Sequence, residues 1–176
     1  MTAEELPEGW TYTVVGEVSV AIQYGFTASA EHGREGPRFL RITDIQDGRV
    51  EWGSVPGCEI TDAELKRYDL RAGDIVFART GATTGKSFLI RQCPVAVFAS
   101  YLIRLRHGPV ILPEFLSLFF KTRCYAVALG NKRIVGKSRY VRTASRMRFF
   151  FASYQLTPTR KQCDSSRRNA RNANPT

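Results

Sequence analysis

The sequence predicts a β-rich mixed α/β domain, and three observations carry that expectation. Short runs of β-branched and aromatic residues recur between glycine-rich and Asp-Gly turn signals, as expected of strands joined by hairpins. Two segments, Asp62 to Tyr68 and Glu114 to Thr122, carry helical spacing instead. A chain of 176 residues with 43% hydrophobic and 24% charged content suits one globular domain and excludes disordered, collagen-like and disulfide-scaffold compositions.

Leu6-Pro7-Glu8-Gly9-Trp10 is a turn-rich opening, and Thr11 to Ala21 follows with β-branched residues that suit either a strand or a short helix. Phe39 to Ile45 and Arg49 to Trp52 flank Gln46-Asp47-Gly48, which predicts a hairpin because Asp-Gly tolerates positive φ. Thr61 and Glu64 have capping-box spacing and begin a short helix with Leu65 and Tyr68 on one face. Ile75 to Ala78 and Ser87 to Ile90 read as strands around the polar loop Gly81 to Gly85. From Val95 to Arg106 the pattern alternates, with Val95, Val97, Ala99, Tyr101, Ile103 and Leu105 on one face of a single strand. Pro113 suits the first position of the second helix.

Met1 to Gly9 is acidic and polar, unlike a signal peptide, and no apolar run approaches the roughly 20 residues that span a bilayer, so a cytoplasmic protein is expected. Cys58, Cys93, Cys124 and Cys163 are widely spaced and read as reduced, unpaired thiols. The net charge of +10 is unevenly placed: residues 1–120 carry −3 and residues 121–176 carry +13. Bulk charge is therefore a poor guide to a nucleic-acid surface, because a solvated basic tail gives the same total. Residues 6–154 form the expected domain, and residues 155–176, poor in large apolar residues, read as a basic tail.

Thr80-Gly81-Ala82-Thr83-Thr84-Gly85-Lys86-Ser87 looks like a phosphate-binding P-loop, yet three residues rather than four separate its glycines, and strand-like residues follow where a helix is required. A glycine-rich hairpin loop bearing Arg79, Thr83, Thr84 and Lys86 can still donate hydrogen bonds to phosphate oxygens or base edges; equally, its glycines can serve backbone shape alone. Tyr24-Gly25-Phe26-Thr27 suits base or phosphate contact, or a plug over the core. Asp62-Ala63-Glu64-Leu65-Lys66 lies on a capped helix, the wrong platform for a nuclease metal site, and neither His32 nor His107 has an acid or Cys at ligand spacing. No metal or cofactor is expected.

Several of these segments, in this order, resemble one family. Leu6-Pro7-Glu8-Gly9-Trp10, Tyr24 to Ala30, Arg38 to Ile45, Gly73 to Ser87, Ala99 to Leu105 and Leu112 to Leu116 together resemble a target recognition domain of the specificity subunits of type I restriction-modification systems. The resemblance covers about residues 6–125. Such domains close with an Asn-rich turn and a Leu-Pro-Pro-Leu-x-Glu-Gln-like stretch feeding a long helix, of which Thr143 to Met147 and Leu156 to Gln162 are faint echoes. The chain therefore looks like a truncated half of a subunit, without the ruler helix that separates two recognition domains.

The resemblance implies sequence-specific recognition of one half of a bipartite DNA target, with no catalysis by the chain itself. Modification and restriction subunits, the implied partners, would act on the DNA, and half-subunits could self-associate. The candidate contacts are Arg41, Arg79, Thr83, Thr84 and Lys86, with Gln23, Tyr24 and Thr27 behind them. Two alternatives remain at this point: a P-loop-like nucleotide-binding enzyme using Gly81 to Ser87, and a generic basic nucleic-acid-binding protein.

Overall fold

The computed structural model describes Glu8, residues 10–79, 86–122, Tyr125 and the backbone of residues 148–152. The main sheet has four antiparallel strands in the order β2 (Ser19–Tyr24), β9 (Leu102–His107), β6 (Ile75–Ala78), β7 (Ser87–Leu89). Among the described residues three two-stranded pairs accompany it. β1 (Trp10–Val14) runs antiparallel to β10 (Arg148–Ala152), and β3 (Arg38–Leu40) runs parallel to β8 (Ala96–Phe98). β4 (Ile45–Gln46) and β5 (Arg49–Val50) form the Asp-Gly hairpin, with Asp47 and Gly48 both at positive φ, 49° and 72°. The mixed fold class expected from the sequence is present. The reading of Thr11 to Ala21 resolves as the end of β1, a turn and the start of β2.

β6 explains the layering. Ile75-Val76-Phe77-Ala78 is apolar at every position because both faces of the sheet are covered, and all four residues are at most 1% exposed. On one face Ile75, Phe77, Ile103 and Leu105 meet helix α2 (Pro113–Phe119) and the residues after it, with the Phe77 and Phe120 rings edge-to-face at 4.7 Å. On the other face Val76 and Leu102 pack with Leu40, Leu70, Ile90 and Phe98. Helix α1 (Asp62–Tyr68) is capped as its sequence predicts: the Glu64 amide donates to Thr61 Oγ1, and the Thr61 amide donates to the Glu64 carboxylate at 3.0 Å. Its Leu65 and Tyr68 pack on a third cluster around Phe39, Cys58 and Val97.

One expected element is overturned. Val95 to Arg106 is not a single strand: β8 ends at Phe98, the Leu102 amide closes a turn onto the Ala99 carbonyl at 2.8 Å, and β9 begins in a different sheet. Val95 and Tyr101, placed on the apolar face by the alternation, are 64% and 60% exposed. The turn also explains Gly25, since a Cβ there would lie 2.2 Å from the Ala99 carbonyl oxygen. The basic tail, Cys124, Cys163 and the place of a ruler helix lie outside the described residues. Cys58 and Cys93 are free thiols, as expected.

Candidate nucleic-acid interface

Three segments meet at one end of the main sheet. The last residues of β2 lead into Tyr24-Gly25-Phe26-Thr27, the Phe26 amide donates to the Phe98 carbonyl at 2.8 Å, and the Gly25 amide donates to the Leu102 carbonyl at 3.1 Å. The turn between β8 and β9 presents Ser100 and the exposed Tyr101. The hairpin joining β6 to β7 enters and leaves here, because the Ala78 amide donates to the Lys86 carbonyl and the Arg79 amide to the Tyr101 carbonyl, both at 3.0 Å. Thr83 and Thr84, at the tip of that hairpin, lie outside the described residues.

Arg79 is the best-placed of the sequence candidates. Its guanidinium carbon stands 5.4 Å from the centroid of the Tyr24 ring, and Nη1 donates to the Ser100 carbonyl at 3.2 Å. The ring and the carbonyl together hold the guanidinium from two directions. The Nε and Nη2 edge makes no hydrogen bond among the described residues, so two parallel donors remain for a carbonyl, a phosphate or a guanine edge. Lys86 and Thr27 are exposed at the same end, and Lys86 has no carboxylate partner among the described residues.

Two candidates are already occupied within the protein. Arg41 grips Asp44 with Nε at 3.1 Å and Nη2 at 2.7 Å, while the Arg41 amide donates to the same carboxylate at 2.8 Å. That bond raises the Arg41 pKa and ties off the turn Ile42–Asp44. Gln23 accepts from Arg104 Nη2 at 2.7 Å. To contact a ligand, each would have to exchange an internal bond for an external one.

Arg104 belongs to a network that sequence reading missed. It is 3% exposed, lies 5.3 Å from the centroid of the Phe98 ring, and donates through Nη1 to the Asp69 carbonyl. Burial, together with the like charge of Arg106, lowers its pKa. Arg106 pairs in a bidentate manner with Asp74, both bonds 2.8 Å, and Asp74 also accepts from the Arg71 amide at 2.9 Å. Burial works against ionisation of Asp69, but its bond to Arg71 and the charges of Arg106, Arg71 and Arg104 prevail and hold its carboxyl below the usual range. The signal was available: Arg104 and Arg106 alternate with the apolar Ile103 and Leu105, and cations on a buried face need carboxylates from somewhere.

The P-loop alternative is not supported, because the glycine-rich loop joins two antiparallel strands and no helix follows it. Among the described residues no group of three His, Cys, Asp or Glu is gathered as for a metal. Among them, too, no helix is long and apolar enough to cross a membrane.

No protein-family model matches the chain. The type I restriction enzyme EcoKI specificity subunit of Escherichia coli (strain K12) is 26% identical over an alignment of 129 positions, and the match covers 66% of this chain and 28% of that protein. The HsdS subunit from Thermoanaerobacter tengcongensis has the same fold over 88% of this chain and 37% of its own, with a TM-score of 0.62 and 16% identity. A chain from a structure concerned with complex assembly and conformational transition of the type I R-M system matches over the same shares, with a TM-score of 0.63 and 15% identity. This chain thus spans about a third of the length of the relatives it matches. In sequence and in fold it resembles a target recognition domain of the type I restriction-modification specificity subunits.

Proposed function

We propose that this domain reads a DNA sequence, one half of a bipartite target, for modification and restriction subunits that carry the chemistry. It has no catalysis of its own in this reading. The observation that carries it is Arg79: a guanidinium over the Tyr24 ring and bonded through Nη1 to the Ser100 carbonyl, with Nε and Nη2 making no hydrogen bond among the described residues, where three segments meet. Such an arrangement suits a base edge in the major groove, since two parallel donors match the two acceptors of guanine. Exposed Lys86 and Thr27, with Thr83 and Thr84 on the hairpin, would hold phosphates and set the register.

Residues 6–154 are the recognition unit in this proposal, and residues 155–176 add only salt-sensitive, sequence-independent affinity. Docking onto a modification subunit, or association of two half-subunits, would place the second half-site. Selection from random duplex DNA, with the chain mixed with its modification subunit, tests the reading. Enrichment of one short motif supports it, and enrichment of none contradicts it.

A further inference from the structure

We propose a second anion site that does not include Arg79: a cleft of about 360 Å³ along the outer edge of β7 that takes a phosphate group. The cleft lies between the β4–β5 hairpin and α2, and Arg49, Arg91 and Lys121 line it with no carboxylate among the lining residues. All three cations are exposed, and none forms an ion pair among the described residues. Three unneutralised cations around one concavity repel one another, which an anion relieves.

The backbone adds donors. The Ala78 amide donates to the Lys86 carbonyl and the Ile90 amide to the Asp74 carbonyl, so the antiparallel alternation turns the amides of Ser87 and Leu89 away from β6. β7 ends the sheet, and among the described residues nothing pairs with that outer edge. Ser117, 5% exposed, also lines the cleft, and its hydroxyl makes no hydrogen bond among the described residues. A strand of three residues offers an added peptide strand few main-chain bonds, whereas one phosphate needs only a few convergent donors.

The phosphate can come from a DNA backbone or from a free nucleotide. The DNA source rests on the proposed function, for the cleft begins at Ser87, next to the Lys86 that closes the recognition hairpin; the site itself does not. Trp52 lines the cleft, with its indole donating to the Gln92 carbonyl at 3.1 Å, and the chain has only one other tryptophan, Trp10. A Trp10→Phe variant therefore reports on the cleft alone.

Trp52 fluorescence in that background should change saturably with inorganic phosphate and with dAMP at constant ionic strength. Arg49→Ala with Arg91→Ala should weaken both responses by at least about tenfold, as the loss of two charge-assisted bonds requires. If DNA is the source, a duplex elicits the same response and the double variant lowers the salt slope of DNA binding by about two. If a free nucleotide is the source, phosphate and dAMP respond while the DNA slope stays unchanged. Failure of the motif selection above would leave the phosphate response intact, which separates the two proposals. No response to phosphate or dAMP beyond that to chloride, or saturation only by an oligoglutamate peptide, overturns the site.

Discussion

Arg104 and Arg106 on β9 and Arg79 at the end of β6 belong to one sheet, yet they face opposite sides of it and differ in what surrounds them. The β9 pair is enclosed: Asp69, Asp74 and Gln23 take up most of its donors, and the loop Asp69–Asp74 is bound down to the strand by them. Arg79 is half-buried, meets a ring and one carbonyl, and keeps its Nε and Nη2 donors unspent among the described residues. The number of arginines on a surface therefore says less about binding than the number of their donors left unspent. The enclosed pair holds the fold together, and the open one is the candidate reader.

The largest effect expected from this contrast is on the enclosed side. Asp74→Asn leaves Arg106 without its bidentate carboxylate and should cost about 2–3 kcal/mol of stability, seen as a lower urea midpoint at unchanged slope. A loss within experimental error would mean that the network is incidental. Arg79→Ala should do the reverse: stability changes by no more than about 1 kcal/mol, while discrimination at one base pair falls by about 1–3 kcal/mol in competition binding.

Acid sharpens the same contrast. The Asp69 carboxyl has its folded value below the unfolded one, so its contribution is complete above the ordinary carboxylate value of about 4 and is lost as pH falls through the lower folded value. Unfolding followed from pH 6 downward should show this acid limb, and Asp69→Asn should flatten it. The smallest effect is expected of Lys86→Ala, which should lower the salt slope of DNA binding by about one and leave stability within about 0.5 kcal/mol.

Local chemistry was well written in the sequence. Thr61 with Glu64, Asp47 with Gly48, and the uninterrupted apolar run of β6 each announce their structure through interactions within a few residues or through burial on both faces. Partner choice was not. Alternation runs smoothly from Val95 to Arg106, but the backbone changes sheets at Ala99–Tyr101, and a period of two carries no record of which strand lies alongside. The pairing of β1 with β10 joins residues more than 130 positions apart, which no local pattern encodes.

The candidate site divides in the same way. Arg79 and Lys86 were found because they flank a glycine-rich hairpin, a short-range signal. The occupation of Arg41 by Asp44 was also a short-range matter, three residues apart, and visible in hindsight as a capping pair. By contrast, Gln23 is claimed by Arg104 across 81 positions, so its residue type could not tell whether its amide faces solvent or a buried cation.

The central claim, that the open arginine reads sequence and the enclosed ones do not, is tested most directly by repeating the duplex selection with Arg79→Ala beside the unmodified chain. The account predicts that both select the same motif except at one base pair, which becomes degenerate in the variant while the remaining positions persist. An identical motif from both chains, with no position relaxed, would contradict it.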